Sequence, residues 1–146
     1  MSLYLSPKEK RTVEHFEIEQ AILVPSTQKA DKKISQAQYK KRIKNVRLFL
    51  AKKFGGYTSV KAVGGYYSDS KKKLIKEKIT KVTSFVKASD FKKKEPILMN
   101  QLKTWGKKWG QESIGYEYEG DLYYISSKKP TKKKILKAKI RRKIKK

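Results

Sequence analysis

Hydrophobic and polar positions alternate from His15 onward: in "HFEIEQAILVP", Phe16, Ile18, Ile22 and Val24 fall on one side, Glu17 and Glu19 on the other, and Pro25 ends the run. This predicts a first strand. The polar stretch "STQKADKK" follows as a loop. Ser35 with Gln38 three residues on has capping-box spacing, and Tyr39, Ile43, Val46, Leu50 and Phe54 then recur at helical intervals before Gly55 and Gly56. The period returns to two over 57–67 and 74–86, two strands joined by a polar loop at 68–73, with Gly64 and Gly65 expected to mark a bulge or bend. A second helix is expected to begin near Pro96, with an earlier turn from Asp90, and to carry Leu98, Leu102, Trp105 and Trp109 on one stripe until Gly110. Last comes "SIGYEYEGDLYYIS", strand material with Gly120 and Asp121 at the centre of a two-residue turn.

The order strand, helix, strand, strand, helix, strand is that of an α+β, ferredoxin-like βαββαβ sandwich, two helices on one face of an antiparallel sheet. Three segments follow: an N-terminal arm (1–14), the α+β domain (15–126) and a basic tail (127–146). Packing between helices and sheet absorbs both apolar stripes, tryptophans included. The other sheet face is left for water, a partner, or a second copy in a homodimer. Within "FGGYTSVKAVGGYYSDSKKKLIKE", the residues Phe54, Gly56, Thr58, Gly65, Tyr67 and Glu77 resemble a small family of uncharacterised bacterial domains in which Phe, Gly and Thr precede a Gly-x-aromatic and a strand Glu. The resemblance implies the ferredoxin-like fold and carries no activity; the basic tail lies outside its pattern.

Charge changes the picture. The 146 residues hold 39 Lys and Arg against 13 Asp and Glu, a formal net charge of +26. Without the twelve cations of the tail, 27 still face 13, so the body is basic by itself. Such an excess draws phosphate-rich partners through a field that salt weakens. Only Arg11, Arg42, Arg47, Arg141 and Arg142 are arginines, so compact ammonium groups dominate, which suits phosphate contact better than bidentate base reading. The phosphate-contacting residues expected in the tail are Lys128, Lys129, Lys132, Lys133, Lys134, Lys137, Lys139, Arg141, Arg142, Lys143, Lys145 and Lys146. Leu136, Ile140 and Ile144 stand four apart there, an apolar line should the tail turn helical on a partner. "KKPTKKK" resembles a nuclear import signal, which has meaning only in a eukaryotic cell or its virus.

The remaining chemistry is sparse. With no cysteine there is no disulfide, thiolate zinc site or cysteine nucleophile, and His15 is the only histidine. No phosphate-cradling glycine motif occurs, and no segment approaches a membrane span or a secretory leader, so an intracellular protein is expected, in cytoplasm, nucleoid or nucleus. No cofactor and no metal site are called for. RNA-recognition domains share this strand order, but "KLIKEKITKV" in the third strand lacks their stacking aromatics. Carboxylates gather at Glu14, Glu17, Glu19 and at Glu112, Glu117, Glu119, Asp121. With the last strand beside the first, Glu17, Glu19, Glu117 and Glu119, joined by Glu77, would share the open face and offer oxygen ligands for Mg²⁺. Three functions follow in order of preference: a non-enzymatic DNA- or RNA-binding protein of little sequence preference, a small Mg²⁺-dependent phosphodiesterase using the acidic patch, and an assembly or scaffold protein with a targeting tail.

Overall fold

The structure, a computed structural model, describes residues 4–29 and 31–128. A one-turn helix α1 (Pro7–Lys10), capped by Ser6 and burying nothing, occupies the arm. Then come β1 (Ile18–Pro25), the two-residue pieces β2 (Thr27–Gln28) and β3 (Lys32–Lys33), α2 (Gln36–Phe54), β4 (Thr58–Ser68), β5 (Lys73–Val86), α3 (Ala88–Lys108), β6 (Ser113–Tyr118) and β7 (Asp121–Ser126). The main sheet is antiparallel in the order β4-β5-β1-β6-β7. Taking β1, β4, β5 and β6 as the four strands of the sandwich, this is the ferredoxin-like order with one strand, β7, added at the edge.

Alternation along β1 sends Ile18, Gln20, Ile22 and Val24 inward. Opposite them on the same face are Thr80, Val82, Ser84 and Val86 of β5 and Ile114 and Tyr116 of β6, all buried. Helix α2 covers this face with Val46, Leu50 and Phe54, and α3 with Leu98, Leu102 and Trp105. Each fully buried aliphatic side chain contributes about 1.5–3 kcal/mol, so the layer contact, more than any polar feature, holds the sandwich together. Phe49 meets Trp105 edge-on at 5.4 Å, and Trp105 stacks on Trp109 at 5.4 Å, closing the seam between the helices.

Helix α2 forms as its sequence predicts: Ser35 and Gln38 make both capping-box bonds, and Gly55 ends it at φ +96°. Five details differ. Phe16 lies outside β1, because Ile18 already pairs with Val86, the last residue of β5, and two residues further on the chain has turned into helix α3 at Ala88. No bulge occurs at Gly64 and Gly65: β4 and β5 pair without interruption from Thr58↔Thr83 to Ser68↔Lys73, and the missing Cβ of Gly64 makes room for the Ile79 side chain instead. Helix α3 starts at Ala88, eight residues before Pro96, because the Glu17 carboxylate accepts from Ala88 N at 2.8 Å and supplies an N-terminal cap that its own sequence lacks. The last hairpin turns on Glu119 and Gly120, both at positive φ, one residue earlier than expected. The loop after β1 also holds the small β2–β3 pair, too short to register as a period.

Candidate functional site

Past its pairing with β1, the β4–β5 hairpin extends beyond the body, and its tip returns to the β2–β3 segment, where Lys71 forms an ion pair with Asp31. That pair lowers the Asp31 carboxyl below its ordinary range and raises the Lys71 ammonium above it, through the shared hydrogen bond. Both groups are solvent-exposed, so the pair sets geometry more than stability. Between hairpin, β2–β3 and the first turns of α2 lies a cleft of about 830 Å³, lined among others by Thr27, Tyr39, Tyr66, Glu77, Ile79 and Thr80.

Glu77 is half-buried in this cleft. Its Oε1 accepts from Ser26 N at 3.2 Å and from the Thr27 hydroxyl at 2.7 Å; among the described residues Oε2 forms no hydrogen bond. Thr27 is itself held from behind. Its carbonyl accepts from Arg42 Nη1 at 2.8 Å and from Gln111 Nε2 at 2.6 Å. The same Arg42 donates to the carbonyls of Pro25 at 2.8 Å and Trp109 at 3.2 Å, and its guanidinium lies 5.2 Å from the centre of the Trp109 ring. Burial pulls the Arg42 guanidinium below its ordinary pKa and the Glu77 charge pushes back, yet a guanidinium stays protonated at any working pH. On the cleft's α2 side, the Tyr39 hydroxyl and Thr80 Oγ1 are 2.6 Å apart, linking helix to sheet.

The acidic patch does not assemble. Glu17 precedes β1 and turns to the N-terminus of α3, where the Ala88 amide lowers its pKa. Glu119 sits in the hairpin turn and accepts from the Glu19 amide. Glu117 pairs with Lys81 at 2.6 Å, and Glu77 is in the cleft. Glu17, Glu77, Glu117 and Glu119 are thus each committed to a different neighbour, because strand register, not charge, decides their place. Among the described residues no group of three or more Asp, Glu or His is set to hold a metal. Of the tail cations, Lys128 lies 3.5 Å from Glu112 and is exposed; Lys129 to Lys146 fall outside the described residues.

The tyrosines divide as their strand faces dictate. Tyr116 is buried and donates to Gln20 Oε1 at 2.6 Å, so burial raises its phenol well above the ordinary value, while Tyr118 packs against Phe91 at 4.9 Å. Tyr66, Tyr67 and Tyr124 are more than half exposed. Sequence reasoning gave Glu77 to a sheet-face cluster and missed Arg42 and Thr27. Their partners come from segments far apart in the chain, so no local spacing signals them.

The described residues thus form an α+β sandwich of ferredoxin-like strand order with an added edge strand and a large cleft beside its longest hairpin. Comparison with protein families and with curated proteins finds no match. Among solved structures the chain is similar to a phage SAM lyase in complex with S-methyl-5′-thioadenosine, at TM-score 0.53 and 18% identity over 75% of this chain and 88% of that one. It is similar also to a phage SAM lyase in the apo state, at TM-score 0.52 and 18% identity over 78% and 92%. At this identity the likeness shows a shared fold. Among the described residues no helix is long and apolar enough to cross a membrane.

Proposed function

We propose that the chain binds an S-adenosyl sulfonium compound, or the thioether left when it breaks, in the Glu77 cleft, and acts on it as a lyase. The observation that carries this reading is a half-buried carboxylate in a cleft of about 830 Å³, on a fold shared with a SAM lyase. The volume lies in the range of small-molecule sites. In a chain of net charge +26, an acid fixed in a cleft by Ser26 and Thr27 gives a sulfonium cation a counter-charge. Among the lining residues, Tyr39 and Tyr66 supply aromatic rings for adenine, and Lys40, Lys61 and Lys78 supply cations for the amino-acid carboxylate. Release of a 5′-methylthioether requires the bond from sulfur to the four-carbon fragment to break, its electron pair leaving on sulfur. Without water as reactant, the fragment either closes on its own carboxylate or loses a β proton.

Incubating the full chain with SAM and following methylthioadenosine by mass spectrometry tests this, and the mass of the four-carbon product distinguishes closure from elimination. Glu77→Gln is expected to lower turnover by about a hundredfold, whether Glu77 balances the sulfonium or takes the proton. The absence of both methylthioadenosine formation and calorimetric binding of either compound would rule the reading out.

A second reading rests on charge. An excess of 26 cations, with exposed lysines along α2 and α3 and twelve basic residues at the chain end, supports association with DNA or RNA through phosphates. Gel shifts on duplex DNA, single-stranded DNA and duplex RNA, with and without Mg²⁺, separate binding from cleavage.

A further inference from the structure

At the other end of the β4–β5 hairpin a smaller cavity, about 240 Å³, opens between the segment before β1, the α2–β4 junction and the last residues of β5. Three aromatic residues line it without being buried: Phe16 is 39% exposed, Tyr57 46% and Phe85 52%. The cross-strand pair Thr58 and Thr83 contributes hydroxyl groups, and Gly55 and Gly56 leave one wall as bare backbone, with open space where a Cβ would be. Two of the rings already carry a cation. Lys87 Nζ lies 5.5 Å from the centre of Phe16, and the Arg47 guanidinium, bonded to Ser59 Oγ, lies 5.5 Å from that of Tyr57.

Single exposed aromatics are ordinary on a protein surface. Three on one cavity the size of a single ring system, with cations at two of them, form a surface suited to a flat π-system joined to negative charge. An apolar peptide would cover Lys87 and Arg47 and bring them no charge of opposite sign, whereas a nucleotide strand brings both a base and phosphates. Paired bases are stacked inside the duplex and cannot enter.

We propose that this aromatic pocket receives one unstacked base of a single-stranded nucleic acid, with Lys87 and Arg47 facing the flanking phosphates. The proposal rests on the charge-driven reading and adds a base contact to it; it is independent of the Glu77 cleft. Anisotropy titrations of the full chain with dye-labelled oligothymidylate about fifteen nucleotides long, and with an abasic strand of equal phosphate number, decide it. The wild-type chain is expected to prefer the thymidylate by about tenfold. Phe16→Ala with Phe85→Ala is expected to abolish that preference and leave the abasic affinity in place, while Phe85→Tyr, which keeps the ring, retains it. Equal binding of the two strands by the wild-type chain, or a preference surviving the double substitution, overturns the pocket and leaves the charge-driven reading standing. No binding of either strand at low salt overturns both. The wild-type comparison holds whatever the variants do to folding.

Discussion

Arg42 occupies a helical position that the apolar stripe of α2 would fill with a hydrocarbon, and it is 6% exposed. Its donors serve carbonyls of Pro25, Thr27 and Trp109, from two separate segments, so it ties the end of β1 to the end of α3 and backs the residue that holds Glu77. Arg42→Met keeps much of the volume and removes the donors, leaving buried acceptors unmet at a cost of about 1–3 kcal/mol for each one that water fails to reach. A loss of about 2–4 kcal/mol in urea unfolding is therefore expected. Glu17 acts through charge instead. Its pKa is lowered in the folded protein by the Ala88 amide, so its contribution is present above the ordinary carboxyl value of 4.5 and is lost as pH falls through the lower native value. Glu17→Gln, which removes the charge and keeps an acceptor, should lower the melting temperature at neutral pH, and the gap to wild type should close as pH falls below 4.5 and through the lowered native value. A gap that widens on acidification would mean that the carboxylate is not what stabilises the helix end.

Among the elements, those whose determinants are local were legible and those fixed from afar were not. Helix α2 carries its own start at Ser35 and Gln38 and its own stop at Gly55, and both were read from spacing alone. Helix α3 has no side-chain cap of its own at Lys87; its start is set by Glu17, 71 residues earlier in the chain, so Pro96 looked like the first turn when it lies well inside. The missing Pro96 amide falls on a turn whose Lys92 is exposed, where water can take the free carbonyl. The same holds for the site: Glu77 stood in the pattern, but its partners Ser26 and Thr27 are 51 and 50 residues away, and a shared sheet face suggested the wrong company. The far end of α3 shows how distant contacts constrain an element. A Cβ on Gly106 would come within 2.8 Å of the Cβ of Ser127, whose hydroxyl is bonded to the carbonyls of Gln111 and Glu112. Gly106→Ala should therefore destabilise by about 1–3 kcal/mol. The helix propensity of Ala opposes this by only about 1 kcal/mol. Because Ser127→Gly relieves the clash but loses the two hydroxyl bonds, the double variant should be less destabilised than the sum of the two single variants in urea unfolding, and additive effects would show that the two sites do not touch.

On the scale of the whole molecule, the sandwich closes at β7 and Ser127, with its core drawn from β1, α2, β5, α3 and β6. Among the described residues the whole of that core lies between Ile18 and Ile125, and a chain ending at Lys128 is expected to unfold cooperatively, with a urea midpoint close to that of the full chain. The two chains then separate the functions assigned to body and tail. On the lyase reading proposed above, turnover of SAM takes place in the Glu77 cleft and should survive the truncation. On the charge-driven reading proposed above, phosphate contact falls in large part to the tail, and each phosphate neutralised steepens the fall of affinity with salt by about 0.9 in a log-log plot on duplex DNA. Replacing Lys132, Lys133, Lys134, Arg141 and Arg142 with Gln should thus flatten the slope by about 4 to 5 units if all five make contact. Binding to unrelated sequences should weaken by similar factors, because phosphates carry no sequence. An unchanged slope in that variant would place the phosphate contacts on the lysines of α2 and α3, and a loss restricted to one sequence would show base reading by the tail itself.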